Sequence, residues 1–240
     1  MTGGELLHIV REDYLDDAVA PYLWKQATLL RLLSRAQEEA CMRQRLLVDE
    51  TTPAICEVPL VAGQKDYALD PRIVLVETIR YDGVVLSKCT KPQLDRTLPG
   101  WADSVGPITD YLQNDLTISL LQAPTVADDG NPLALRVWRL PINGFSAVTD
   151  VPEIPLQYHR DLIWLVIGEA FALPDEDRQD TRRADYYLDR FDKVFGPTLR
   201  ADVLANWRRE GNVSFVGNAH GYHGRPVYRL SAAQRFDFED

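Results

Sequence analysis

The chain has 240 residues, with 36 acidic against 26 basic side chains and a formal net charge of −10. That balance argues against a protein that grips nucleic acid by its phosphates, which takes clustered Lys and Arg, but not against one that DNA merely passes. The chain is 45% hydrophobic and 26% charged, ordinary for a soluble globular protein, and it is long enough for one elaborate domain or two small ones.

No apolar run approaches the ~20 residues of a membrane span. The start, Met1-Thr2-Gly3-Gly4-Glu5, lacks the basic and apolar stretches of a secretion signal. Cys41, Cys56 and Cys89 form no C-x-x-C pair, which points to a reducing compartment and away from a disulfide scaffold or structural zinc.

Residues 5–15, with Leu6, Leu7, Ile9, Val10 and Tyr14, predict a short helix. Residues 21–47 predict a long one, around which the rest of the chain is organised. Its apolar stripe runs through Leu29, Leu33, Ala36, Ala40 and Leu47, widened by Leu23, Ala27 and Leu30, and Cys41 belongs to the same core side. Lys25, Arg31, Arg35, Glu39 and Arg43 mark the opposite side. Pro21 suits a first helical turn, and at ~1.5 Å per residue the helix would be roughly 40 Å long. Asp49-Glu50-Thr51-Thr52-Pro53 closes it.

From Ile55 to about Leu140 the apolar period falls toward two. Residues 55–61 read as β-rich, and residues 72–81 are the best strand in the chain. Asp82-Gly83 between that strand and Val84-Val85-Leu86 is the strongest hairpin signal. Leu116, Ile118 and Leu120 alternate with polar residues after a Gln113-Asn114-Asp115 turn; Leu133, Leu135 and Val137 alternate after Asp128-Asp129-Gly130-Asn131-Pro132. Residues 91–107 are an irregular excursion. An antiparallel sheet or small β-sandwich accounts for the block.

Helical period returns after Pro152-Glu153-Ile154-Pro155. Leu156, Ile163, Val166, Ala170 and Phe171 form one apolar helix ending at Pro174. Asp175-Glu176-Asp177 favours a new helix start, which leads into Ala184, Tyr187, Leu188, Phe191, Val194 and Phe195. Gly196-Pro197 breaks that helix, and Leu199, Val203, Leu204 and Trp207 resume the pattern. The expected class is α+β: a helical bundle made from both chain ends (residues 1–53 and 146–207), an inserted antiparallel β domain (54–145), and an extended C-terminal arm (208–240). The arm is Gly-interrupted and aperiodic, yet rich in Arg and aromatics, the composition of a segment that orders on a partner.

Residues suited to catalysis are scattered. His220 and His223 lack a third metal ligand. His159 and Asp161 lie two apart on a helix start, facing different ways, which favours a solvated or capping role. Glu169 in its apolar helix could have a raised pKa, but glycosidase-type chemistry needs a second carboxylate that nothing nominates. No phosphate-binding glycine loop, nucleophile elbow or zinc helix is present. No cofactor is expected.

The order and spacing of several short pieces resemble the head-to-tail adaptor (connector, head-completion) proteins of tailed bacteriophages. These pieces are Asp16-Asp17 followed by Pro21-Tyr22-Leu23-Trp24, Ala36-Gln37-Glu38-Glu39-Ala40, Gly63 with Tyr67-Ala68-Leu69-Asp70, and the strand beginning at Ile73. Pro107-Ile108-Thr109-Asp110-Tyr111, Leu140-Pro141, Pro152-Glu153-Ile154-Pro155 with Tyr158-His159, and the acidic run before Ala184 complete the set. The resemblance implies a virion structural protein of the neck, a homo-oligomeric ring of twelve bound to the portal protein and to a tail or nozzle protein. Double-stranded DNA would pass through it without specific binding, and assembly would take place in the host cytoplasm with no membrane involved. It also implies that the arm contacts the portal, with Trp207, Arg208, Arg209, Phe215, Tyr222, Arg225, Tyr228, Arg229 and Phe236 as interface candidates. A tail-associated cell-wall hydrolase, or another tail ring such as a terminator or nozzle, are the alternatives.

Overall fold

The computed structural model describes residues 1–98, 100–103, 106–174 and 179–210. It is an α+β chain of two compact units. One comprises Met1–Cys56, Asp70–Val74 and Arg136–Arg200; the other comprises Glu57–Leu69, Leu75–Leu135 and the described residues from Ala201 on.

The first unit is mainly helical. Helix α1 (Gly3–Ile9) opens with a capping box: the Thr2 hydroxyl accepts from the Glu5 N–H, and the Glu5 carboxylate accepts from the Thr2 N–H at 2.8 Å. It continues into a π-helical turn, Val10–Leu15, which stops at Asp16 in the left-handed region. Helix α2 (Gln26–Gln44) is 19 residues long, about 28 Å. It is shorter than the expected 21–47, and Pro21 lies ahead of it rather than in its first turn. The physical reason lies at Leu23 and Trp24, whose N–H groups donate to the Asp17 carboxylate while the Trp24 carbonyl accepts from the Arg11 guanidinium at 2.6 Å. The ladder begins one residue later, with Leu29 N–H donating to the Lys25 carbonyl. Leu23 and Ala27, placed in the stripe by periodicity, are exposed. Leu29, Leu33, Ala36, Ala40 and Cys41 are fully buried, as the period requires.

Against α2 pack α5 (Ile163–Ala172) and α6 (Thr181–Phe195), with Leu6, Leu162, Phe191 and Phe195 in one core cluster. Gly168 allows the close approach of α5 and α6: a Cβ there would lie 2.8 Å from Leu188 Cγ. The side chain of Asp180 caps α6, and Gly196 ends it with a φ of +82°. The acidic run 175–177 lies outside the described residues.

The remaining elements in chain order are β1 (Val48–Asp49), α3 (Pro53–Cys56), β2 (Glu57–Pro59), β3 (Asp66–Ala68), β4 (Ile73–Tyr81), β5 (Val84–Val85), β6 (Ser87–Cys89), α4 (Lys91–Thr97), β7 (Asp110–Asn114), β8 (Thr117–Leu120), β9 (Pro132–Arg139) and α7 (Ala201–Glu210). One sheet has the order β1-β9-β4-β5, with β2 also on β9; the other has the order β3-β8-β7-β6. The division between the units falls within β4 and β9.

The hairpin at Asp82-Gly83 forms as its sequence requires. Tyr81 pairs with Val84, and both turn residues have positive φ, the geometry of a two-residue turn that matches strand twist. Leu133, Leu135 and Val137 are buried in alternation along β9.

Two readings of this block are corrected. The start of the expected β run at residues 55–61 is partly the helical turn α3. The block is also not wholly antiparallel, because β6 pairs parallel with β7. The excursion at 91–107 explains this. A parallel pair cannot be joined by a tight turn and needs a crossover of a dozen or more residues, which α4 and its flanks provide. Leu94 of α4 is buried there with Leu112 and Leu121.

Candidate functional site

The residues considered for catalysis do not converge. His159 is buried rather than solvated, and its Nε2–H donates to the Ile154 carbonyl at 2.8 Å. Asp161 instead accepts from the Trp164 indole at 3.2 Å. Glu169 is half-buried; burial raises its pKa, partly opposed by Arg35, whose guanidinium lies 2.9 Å away. Glu39, another carboxylate whose charge reaches Glu169, is itself bound to Arg43 at 3.0 Å. Among the described residues no group of three or more His, Cys, Asp or Glu is arranged to hold a metal ion, and no helix is long and apolar enough to cross a membrane.

What the described residues of the helical unit do contain is ionic nodes built on buried side chains that fix loops, among them the two that follow. In the first, Arg139 at the end of β9 donates to Asp49 at 2.6 Å and to Glu153 at 2.8 Å. Glu153 in turn accepts from the N–H groups of Ile142 and Asn143, and its own N–H donates to the buried Gln37 of α2 at 2.7 Å. Burial alone would raise the pKa of Asp49. Hydrogen bonds from Thr51, Thr52 and Arg139 more than offset that and hold its carboxyl well below the usual carboxylate range.

The second node holds residues 16–24. The buried Asp17 carboxylate pairs with Arg11 and accepts from the Leu23 N–H at 2.6 Å and the Trp24 N–H at 3.1 Å. Trp24 is buried edge-on against Phe171, while the Arg11 guanidinium sits 4.1 Å from the Tyr22 ring centroid. The result is a fixed loop whose tip faces solvent: Val19 is 82% exposed, and Tyr22 and Leu23 are about half exposed.

In the β-rich unit, helix α7 lies on β7, although periodicity alone would have continued it with the preceding helices. Lys88 donates to the Arg208 carbonyl at 2.5 Å and to the Gln113 side chain at 2.9 Å, and Arg208 pairs with Asp115. Burial pushes the pKa of Lys88 down to about 8, while both hydrogen bonds favour its charged form. Of the interface candidates, Trp207 is 4% and Arg208 9% exposed, so they fasten α7 within the chain, whereas Arg209 is exposed. Phe215, Tyr222, Arg225, Tyr228, Arg229 and Phe236, like His220 and His223, lie outside the described residues. The nodes at Arg139 and Lys88 escaped sequence reading because their members lie up to 116 and 120 residues apart in the chain; the Asp17 node is local, within 13 residues, but its pairing of a side chain with loop backbone leaves no periodic signal.

Compared with known proteins, the chain matches the family model described as SU10 adaptor protein over residues 1–214. No curated protein matches it.

Proposed function

The chain belongs to the SU10 adaptor protein family, and from that membership we propose that it forms the ring joining the portal to the tail once DNA is packaged. The family makes it a phage structural adaptor of the virion neck. The family match over residues 1–214 is the observation that carries the reading. In this proposal the helices from both chain ends form the bundled body of each subunit and the β-rich block is an insertion facing neighbours or tail proteins. Twelve copies close around the channel. A net charge of −10 suits a conduit that DNA must leave freely, since basic walls would hold its phosphates. The segment beyond Glu210, carrying Phe215, Tyr222, Arg225, Tyr228, Arg229 and Phe236, would contact the portal together with the exposed Arg209. Aromatic and Arg side chains are the usual anchors of such contacts.

The test mixes purified protein with assembled portal rings and images them by cryo-electron microscopy, beside a truncation ending at Glu210. That end point keeps the buried Trp207 and Arg208 in place. A second ring under the portal with the full chain, absent with the truncation, is the expected result. Portal rings left bare by both proteins would overturn the adaptor reading, and a ring formed by both would overturn the role of the terminal segment.

A further inference from the structure

Asn143-Gly144 is the only Asn-Gly pair in the chain, and it lies in the loop that follows β9, with both residues exposed. The loop is held by its backbone. The Asn143 N–H donates to Glu153 at 2.9 Å, and the Asn143 carbonyl accepts from Gln37 Nε2 at 3.3 Å. Beyond the pair, the Phe145 N–H donates to Ser34 Oγ at 2.7 Å. Two groups between these anchors are left over. Among the described residues, neither the Asn143 side-chain amide nor the Gly144 N–H has a hydrogen-bond partner. Ser34 also keeps position 144 small, since a Cβ there would lie 2.9 Å from its Oγ.

An amide carbon next to an unbonded backbone nitrogen is an electrophile next to a nucleophile. Gly144 has no side chain to block the approach of its own nitrogen. The hydrogen bond from Gln37 to the Asn143 carbonyl polarises the peptide unit that contains this nitrogen, which makes its proton easier to lose. The other asparagines lack this combination. Asn131 precedes Pro132, which has no N–H. Asn114 pairs with Thr117 between β7 and β8, and Asn206 lies in α7. Asn212 and Asn218 lie outside the described residues and precede Val213 and Ala219, whose side chains crowd the nitrogen.

We propose that Asn143 is a site of spontaneous covalent modification, by deamidation through a cyclic imide with Gly144. The Gly144 nitrogen gives its proton to solvent and bonds to Asn143 Cγ. The Cγ–Nδ2 bond breaks, and the departing nitrogen takes a proton from solvent and leaves as ammonia. Water then opens the ring at either carbonyl. Breaking the new N–Cγ bond leaves aspartate at position 143; breaking the original peptide bond leaves isoaspartate, with the chain running through the former side chain. Either product adds a carboxylate close to Glu153, whose Oε1 already accepts the Ile142 and Asn143 N–H groups. Isoaspartate also inserts a methylene between the N–H held by Glu153 and the carbonyl held by Gln37. The loop that links the Arg139 node to α2 therefore loosens as the protein ages.

The experiment incubates the full-length protein in mildly alkaline buffer, folded and in urea, and follows the peptide containing Asn143 by mass. Deamidation adds one mass unit, which separates it from isomerisation at Asp82-Gly83 or Asp129-Gly130, where mass is unchanged. An isoaspartyl methyltransferase assay reads the isoaspartate. The folded protein should convert Asn143 within about tenfold of the unfolded rate, and at least about tenfold faster than Asn114 or Asn206. Asn143→Gln, an exposed change that should leave circular dichroism as in the parent, should lose the signal. The aged parent should unfold at a urea midpoint about 0.5 M lower, as expected for one weakened backbone hydrogen bond, while aged Asn143→Gln should not move. A folded rate more than about tenfold below the unfolded one would overturn the proposal, because the anchors would then hold Asn143 away from ring closure. An unchanged midpoint in fully converted protein would overturn the loosening of the loop.

Discussion

Changing Arg139 to Met removes the cation that two carboxylates share. Arg139 and Asp49 side chains are 13% and 5% exposed, and that of Glu153 is 23% exposed, so both anions would stay largely out of water. Breaking a buried ion pair by deleting one partner costs about 3–5 kcal/mol. Asp49 keeps its Thr51 and Thr52 donors and Glu153 keeps two backbone N–H groups, which sets the expectation at the low end, about 3 kcal/mol. With a urea slope of about 2 kcal/mol/M, the midpoint of the helical transition, followed by circular dichroism at 222 nm, should fall by about 1.5 M.

Neutralising both anions in the same chain (Arg139→Met with Asp49→Asn and Glu153→Gln) should recover most of that loss, because the uncompensated charge causes it. A single-variant loss under about 1 kcal/mol, or a triple variant no better than the single, would refute the reasoning. Acid gives a second readout. The folded pKa of Asp49 lies below its unfolded value, so its contribution is present above about pH 4 and lost as pH falls toward the folded value. Arg139→Met should flatten that acid limb.

Gly168→Val would drive a side chain into Leu188 of α6; the expected loss is about 2–3 kcal/mol by urea titration, with overpacking as the cause. Burial pushes the Cys41 thiol up to about 12 and Cys56 to about 11. Above pH 9 the unfolded chain releases these protons first, so stability should fall with rising pH by up to about 1.4 kcal/mol per unit for each thiol. Cys41→Ala should lessen that slope, and an unchanged alkaline limb would contradict it. In the native state an aromatic disulfide reagent should modify the half-buried Cys89 well before the buried Cys41 and Cys56. A truncation ending at Asn206 strips buried Trp207 and Arg208 from β7 and should lower the stability of the β-rich unit by about 3 kcal/mol or more. One ending at Glu210 should leave it unchanged, as judged by thermal unfolding.

Local sequence decided whatever rests on a helical or strand period or on the conformation of a two-residue turn. The α2 stripe of Leu29, Leu33, Ala36 and Ala40 is buried because a 3.6-residue period aligns those side chains before any partner is present. Asp82-Gly83 makes its hairpin because both positions accept positive φ. The ordered short pieces across the chain were enough to place it among phage adaptors, which the family match bears out.

Only the tertiary structure decided the rest. The first residues of the expected long helix are drawn into a loop because Arg11 and Asp17 take the backbone groups of Leu23 and Trp24. Strand β6 runs parallel to β7 because a crossover separates them, and strand direction cannot be read from alternation. Helix α7 lies on β7 and is fastened there by Lys88 of β6 and by Asp115 just after β7, residues 120 and 93 positions from Arg208. Periodicity reports that a face must be buried. What buries it is set by charge pairs and close contacts between residues distant in the chain, and those exist only once the chain has folded.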